Sequence, residues 1–169
     1  MTDDIILRHE TPADHAAIHD LTAKAFAPMP FCDGTEADAI DILRRDGQLA
    51  LSLVAERAGQ VVGQATFSPA WIENSDGDWF CLGPISVAKP FQRQGIGSRL
   101  SAEGLRQLAL QRASGVVLMG NPSVYVPMGY RCDNGLSHGD IPRKYIHYQR
   151  FKGATPSGEV RFAGPLQEA

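Results

Sequence analysis

Seven consecutive residues, Gln92-Arg93-Gln94-Gly95-Ile96-Gly97-Ser98, have the types and spacing needed to hold a phosphate-bearing ligand. An apolar stretch, Cys81 to Val87, runs into them through Ala88-Lys89-Pro90-Phe91, and the pattern beyond predicts a helix from about Gly97 to Arg112. A helix start presents main-chain N–H groups that no intrahelical carbonyl can satisfy. The helix dipole adds a partial positive charge at the same place, which favours an anion. A Cβ at Gly95 or Gly97 would hold a phosphate away from the backbone. Lys89 and Arg93 could pair with phosphates, although exposed lysines and arginines are mostly solvated. Three other phosphate loops do not match. A P-loop needs Lys-Ser or Lys-Thr where Ser98-Arg99 stands, and a dinucleotide fingerprint needs a small residue where Leu100 stands. A kinase glycine-rich loop would come with a His-Arg-Asp segment, which is absent. A glycine-softened turn between a core strand and a surface helix is the other reading of the same residues.

Other reactive side chains have no such order. His9, His15, His19, His138 and His147 lack metal-ligand spacing with further donors, so no metal is expected. Cys32, Cys81 and Cys132 are odd in number, widely spaced and without a C-x-x-C pair, which fits reduced thiols in a cytoplasmic protein. Cys81, within an apolar strand, reads as a small buried hydrophobe.

The elements that must position the loop can be read in order. Ile5-Ile6-Leu7-Arg8 predicts a first strand, and Thr11-Pro12 starts a helix with Ile18, Leu21 and Phe26 on one face, ended by Pro28 and Pro30. A second helix is expected from about Glu36 to Arg45, capped by Thr35, with Ala39, Ile40 and Leu43 sharing a face. Leu49 to Glu56 and Gln60 to Phe67 predict an antiparallel hairpin turning at Ala58-Gly59. After the turn residues 74–78 comes the fourth strand, Trp79 to Val87. Gly115 to Met119 is short and wholly apolar, as in a strand buried on both faces beside a parallel partner. Strand, helix, strand from 80 to 119 is therefore a βαβ unit with a right-handed crossover. A helical turn follows Asn121-Pro122, and strands are expected from Gly129-Tyr130, Ile146 to Phe151 and Val160 to Phe162. No internal repeat or linker breaks residues 1–169, so one mixed α/β domain is expected.

At 169 residues and 43% hydrophobic, the chain can bury a substantial core. No run approaches the roughly 20 apolar residues of a membrane span, and Asp3 and Asp4 do not suit a signal peptide. A net charge of −3 argues against nucleic acid as the main partner. The charge is uneven. Residues 1–48 carry ten acids and four bases, whereas residues 88–112 carry Lys89, Arg93, Arg99, Arg106 and Arg112 against Glu103 alone. A basic segment around the glycines suits a polyphosphate.

Gln-x-x-Gly-x-Gly after an apolar strand resembles motif A of the GCN5-related N-acetyltransferases. Tyr125-Val126-Pro127-Met128-Gly129-Tyr130 is similar to that family's Tyr-x-x-x-Gly-Phe/Tyr element. Within the family the chain most resembles the YhbS-like acetyltransferases, through Leu82 to Val87, Gly120-Asn121-Pro122 and Gly158 to Phe162. The resemblance implies an α/β (α+β) fold, a single-domain acyl-CoA N-acyltransferase whose mixed central sheet splays between its fourth and fifth strands and is flanked by helices. It implies acetyl-CoA as co-substrate, no metal, and a small-molecule or peptide amine as acceptor. No nucleic acid or membrane partner is implied, and a homodimer is compatible with the sequence.

By the same resemblance, Ile85, Ser86 and Val87 would meet pantetheine as a pseudo-strand, Ile85 and Val87 through their backbones. The amides of Arg93, Gln94, Gly95, Ile96, Gly97 and Ser98 would hold the pyrophosphate. Gln92 would touch the ligand or fix the turn, and Asn121 would bond pantetheine or cap the next helix. Tyr125 would be the general acid to the leaving thiolate, since a phenol of pKa ~10 stays protonated at neutral pH. Its ring could instead only pack on the ligand. Many relatives carry a glutamate on or near the fourth strand as general base, and Phe80 to Ile85 holds none. Glu73, Asp76, Asp78, Asp33, Glu36 and His138 are the candidates left. Without a base, a catalytically silent acyl-CoA-binding sensor or partner-binding module is the alternative. Phe26, Phe31, Trp71, Trp79 and Tyr145 could line an acceptor mouth.

Overall fold

The structure, a computed structural model, describes residues 4–30 and 32–167, so Phe31 lies outside the described residues. The first strand, β1 (Ile6–His9), is followed by a 3-10 turn at Pro12–Asp14 and two helices, α1 (His15–Phe26) and α2 (Glu36–Arg45). The start of α1 is held by Asp14, whose carboxylate accepts from the Thr11 N–H at 2.7 Å and from both terminal nitrogens of Arg8, at 2.7 and 2.9 Å. Thr35 does not cap α2 with its side chain, contrary to expectation. Its hydroxyl and N–H both donate to Asp33, which fixes the loop before the helix.

The expected hairpin joins β2 (Leu51–Arg57) to β3 (Gln60–Ile72). Ala58 and Gly59 take φ of 50° and 79°, the two successive left-handed residues whose turn twist matches that of paired strands. β3 runs five residues beyond the predicted end, through Pro69. The outer edge of β3 is unpaired at Ser68 and Pro69, because β2 pairing stops at Phe67 and β8 (Gly158–Phe162) begins to pair at Ala70. A proline there removes no ladder bond.

β4 (Trp79–Val87), α3 (Ile96–Leu110) and β5 (Gly115–Met119) form the βαβ unit, with β4 and β5 parallel. A single helical turn, α4 (Pro122–Tyr125), precedes β6 (Leu136–Ser137) and β7 (Ile146–Arg150). The sheet order is β1-β2-β3-β4-β5-β7, with β8 on the far end of β3 and β6 on β8. Gly129-Tyr130 starts no strand. The Tyr130 N–H closes the turn on the Tyr125 carbonyl at 3.2 Å, and only Arg131 bridges to β7, through Tyr148.

α3 packs on one face of the sheet over Phe67, Leu82, Val116 and Leu118. The contact is close enough that a Cβ on Gly104 would lie 2.2 Å from the Phe67 ring. On the opposite face lie α1 and α2, with Ile18, Ile40 and Val54 in contact, and a second core around Val117, Ile146, Tyr148 and Val160.

Candidate active site

The β4–β5 ladder consists of Trp79–Gly115, Phe80–Val116 and Cys81–Val117, and then stops. On its other side, β4 stays with β3, but Phe67 faces Leu82 while Ala65 faces Ile85. Two steps of β3 thus span three of β4, a bulge at Gly83-Pro84 that bends the strand and raises its twist. From Leu82 onward β4 diverges from β5, as the expected splay requires. Ala88 donates its N–H to Val62 across the β3 side at 2.8 Å. Antiparallel alternation therefore turns the main-chain groups of Val87 and Ile85 outward into the splay. Ser86 faces the other way. Its hydroxyl is buried between Gln64 (2.9 Å) and Thr22 of α1 (3.2 Å).

At the end of β4 the glycine loop is shaped by its own side chains. Gln92 donates from Nε2 to the Val87 carbonyl at 2.9 Å, and Gln94 donates to Pro90 at 3.2 Å. Gln92 thus fixes the turn. Arg93 (φ 62°) and Gly95 (φ 83°) are both left-handed. The first helical bond of α3 runs from the Arg99 N–H to the Gly95 carbonyl. Among the described residues, the N–H groups of Arg93 through Ser98 donate to no protein acceptor. Arg93, Gly95, Ile96, Gly97 and Ser98 line a cavity of about 240 Å³ that reaches Val87, Val124 and Met128. A Cβ built on Gly97 would point at Met128, Val87 and Ile85, 3.7 to 4.0 Å away, so the bare Cα keeps that cavity open. Free donors, two left-handed residues and a bare Cα fit a diphosphate with an extended arm running along Ile85 and Val87. Lys89 and Arg93 make no ion pair among the described residues.

Tyr125, in α4, stands across the splay. Its ring lies on Gly120, where a Cβ would come within 2.3 Å of it. It also packs edge-on against Tyr130, with centroids 6.1 Å apart, and beside His147 at 6.2 Å. Burial, then the nearby Cys81 thiol, push the Tyr125 hydroxyl up to about 12, so at neutral pH it is a proton donor. Burial alone moves Cys81 to about 12, consistent with an inert thiol. Asn121 accepts from the N–H and hydroxyl of Ser123, both at 2.9 Å, which makes it the cap of α4.

The candidate bases are dispersed. His138 is buried with both ring nitrogens against carbonyls, Val160 at 2.8 Å and Gln167 at 3.0 Å, and serves to hold the C-terminal segment. Glu73 accepts from the Glu159 N–H, and Asp76 and Asp78 are exposed in their turn. Asp33 is held low by Thr35, while burial and Asp33 raise Glu36. Of the aromatic residues, Trp79 is core and bonds Ser75, while Trp71 lies exposed under Arg161. His147, which its spacing marks only as a non-ligand, has no local signal for a role at the site. Its Nε2 lies 3.0 Å from the Gly120 carbonyl, and it is fully buried.

The model of the acetyltransferase (GNAT) family matches residues 15–124. An uncharacterized N-acetyltransferase, YhbS of Escherichia coli K12, is 33% identical over 138 residues, 81% of this chain and 78% of that one. A GNAT family acetyltransferase from Brucella melitensis, solved in complex with acetyl-CoA, is 35% identical with a TM-score of 0.84, over 96% of this chain and 97% of that one. Escherichia coli YhbS solved in complex with CoA superposes with a TM-score of 0.85 at 28% identity, over 94% and 89%.

Proposed function

Since this chain belongs to the acetyltransferase (GNAT) family, we propose that it is an acetyl-CoA-dependent N-acetyltransferase acting on a primary amine by direct attack in a ternary complex. The carrying observation is the row of N–H groups from Arg93 to Ser98, without protein acceptors among the described residues, in a loop that lines the cavity Gly97 leaves open. The family's co-substrate supplies an activated acyl group on a thiol leaving group. The amides of residues 93–98 hold its diphosphate. The outward main-chain groups of Ile85 and Val87 hold its pantetheine amides, which a strand edge recognises. Gln92 and Asn121 act indirectly, by fixing the loop and the α4 turn.

An N–H on the splayed part of β4 stabilises the developing oxyanion. Tyr125 gives its phenolic proton to the departing sulfur, and an equal proton is lost from the attacking nitrogen. No carboxylate on β4 takes that proton, so the amine arrives neutral or passes its proton to water. We assign residues 1–169 to one catalytic domain working in the cytoplasm, supported by one continuous sheet and three free cysteines. Among the described residues no helix is long and apolar enough to cross a membrane. The test is thiol release from acetyl-CoA in the presence of an amine panel. Binding of CoA without any acetylated amine would favour a silent sensor.

A further inference from the structure

His147 is fully buried at the edge strand β7, with its side chain on the α4 side of the sheet. Its Nε2 faces the Gly120 carbonyl, an obligate acceptor, at 3.0 Å, so the hydrogen sits on Nε2. Nδ1 then carries a lone pair, and among the described residues that buried atom has no partner. Leaving a buried acceptor without a partner is destabilising, which points to a partner for Nδ1 beyond the protein's own groups. The ring beside it belongs to Tyr125, at 6.2 Å and tilted by 36°, and the Tyr125 hydroxyl also has no protein partner among the described residues. An unmatched acceptor and an unmatched hydroxyl thus lie on neighbouring rings, each braced by Gly120.

We propose that His147 is a positioning residue for Tyr125: its Nδ1 accepts one hydrogen of a bound water that donates the other to the Tyr125 oxygen, which leaves the phenolic hydrogen free for the sulfur. The inference rests on the acid role proposed for Tyr125. Two polar partners are the fewest that a buried water takes. The bridge fixes the rotor of the phenol before sulfur arrives. When Tyr125 yields its proton to the thiolate, the water returns one to the phenolate and is itself replenished by the proton shed from the nitrogen. No bond to carbon changes at His147, and its own protons are not consumed.

Two near-isosteric substitutions separate the two ring nitrogens. His147→Gln can keep a donor for Gly120 and lacks the Nδ1 lone pair, whereas His147→Asn sets an amide oxygen near Nδ1. His147→Gln should lower kcat about tenfold, part of the 10²–10⁴ available to a general acid, with KM for acetyl-CoA and Tm unchanged. His147→Asn should recover part of that loss, and Tyr125→Phe combined with His147→Gln should be no slower than Tyr125→Phe alone. Parental turnover in His147→Gln, or losses that multiply in the double variant, would overturn the proposal. If Tyr125→Phe is itself fully active, the acid reading fails first. If only Tyr125→Phe is impaired, that reading stands and this inference falls. Ring ¹⁵N resonances of the unmutated protein give an answer even if the variants do not fold: an unprotonated Nδ1 is expected, and a protonated Nδ1 refutes the bridge.

Discussion

Cys81 stands opposite Val117 in the last rung between β4 and β5, and no later residue of β4 pairs with β5. The extra residue at Gly83-Pro84 turns β4 aside from that point, and Ile85, Val87 and Tyr125 pack at the margin of the same core cluster. Removing the phenol of Tyr125 is the first prediction. Tyr125→Phe keeps the ring contacts with Gly120, Tyr130 and His147, so CoA affinity measured by calorimetry should be unchanged. Turnover with acetyl-CoA should fall by about 10²–10⁴-fold, the range for losing a general acid. With the hydroxyl pushed up to about 12, Tyr125 should contribute no alkaline limb to the rate profile below about pH 10. Full activity in Tyr125→Phe would remove the acid role.

The βαβ unit was legible before the structure because every signal for it is local. An apolar run gives way to left-handed loop positions and then to helical periodicity, and Gln92 bonds back only five residues to Val87. The parts that were missed depend on distant partners. β6 exists only because Leu136 and Ser137 meet Gly158 and Glu159. Tyr130 reads as a strand residue by composition, yet its N–H is taken by Tyr125. Ser86 looked like a neighbour of Ile85 and Val87 in the cleft, but strand alternation turns it to Gln64 and Thr22. His147 gains its meaning from a carbonyl 27 residues earlier in the chain, a pairing that spacing alone does not reveal.

Gly97 separates ligand binding from folding. Its φ is not left-handed, and an added Cβ would make only ordinary contacts with Met128, Val87 and Ile85. Gly97→Val should therefore fold with a Tm close to the parent while its methyl groups occupy the cavity. CoA affinity should weaken at least about tenfold, equivalent to about 1.4 kcal/mol. Unaltered CoA binding by Gly97→Val would exclude this cavity as the diphosphate site.

Acid stability should depend on Asp14. Its hydrogen bonds from Arg8, against the opposing effect of burial, hold the carboxyl far below its usual range, with Thr11 adding to the effect. A depressed folded pKa stabilises the fold above the unfolded value, about 3.9, and that stabilisation is lost as pH falls through and below it. Chemical denaturation should show stability declining below about pH 4, with a shallower decline in Asp14→Asn. At neutral pH, Asp14→Asn should cost about 1.5–3 kcal/mol, the scale of hydrogen bonds to charged groups. Parallel pH curves for the two proteins would contradict this assignment.

The close approach of α3 to the sheet rests on Gly104, because Phe67 is fully buried and its ring leaves no room for a side chain there. The helix that presents the amides of Ile96, Gly97 and Ser98 is seated by this contact, so its effect should reach the site. Gly104→Ala gains helix propensity, worth about 1 kcal/mol, but must displace an aromatic ring or lift the helix, and overpacking costs about 1–3 kcal/mol. The clash should win, and Tm should fall by several degrees, at about 2–4 °C per kcal/mol for a domain of this size. CoA affinity should fall with it. Trimming the partner in Gly104→Ala/Phe67→Leu should restore part of both, since the smaller side chain frees the space that the methyl needs. A Gly104→Ala protein as stable as the parent would mean that α3 is seated by other contacts, and the cradle would then be independent of Phe67.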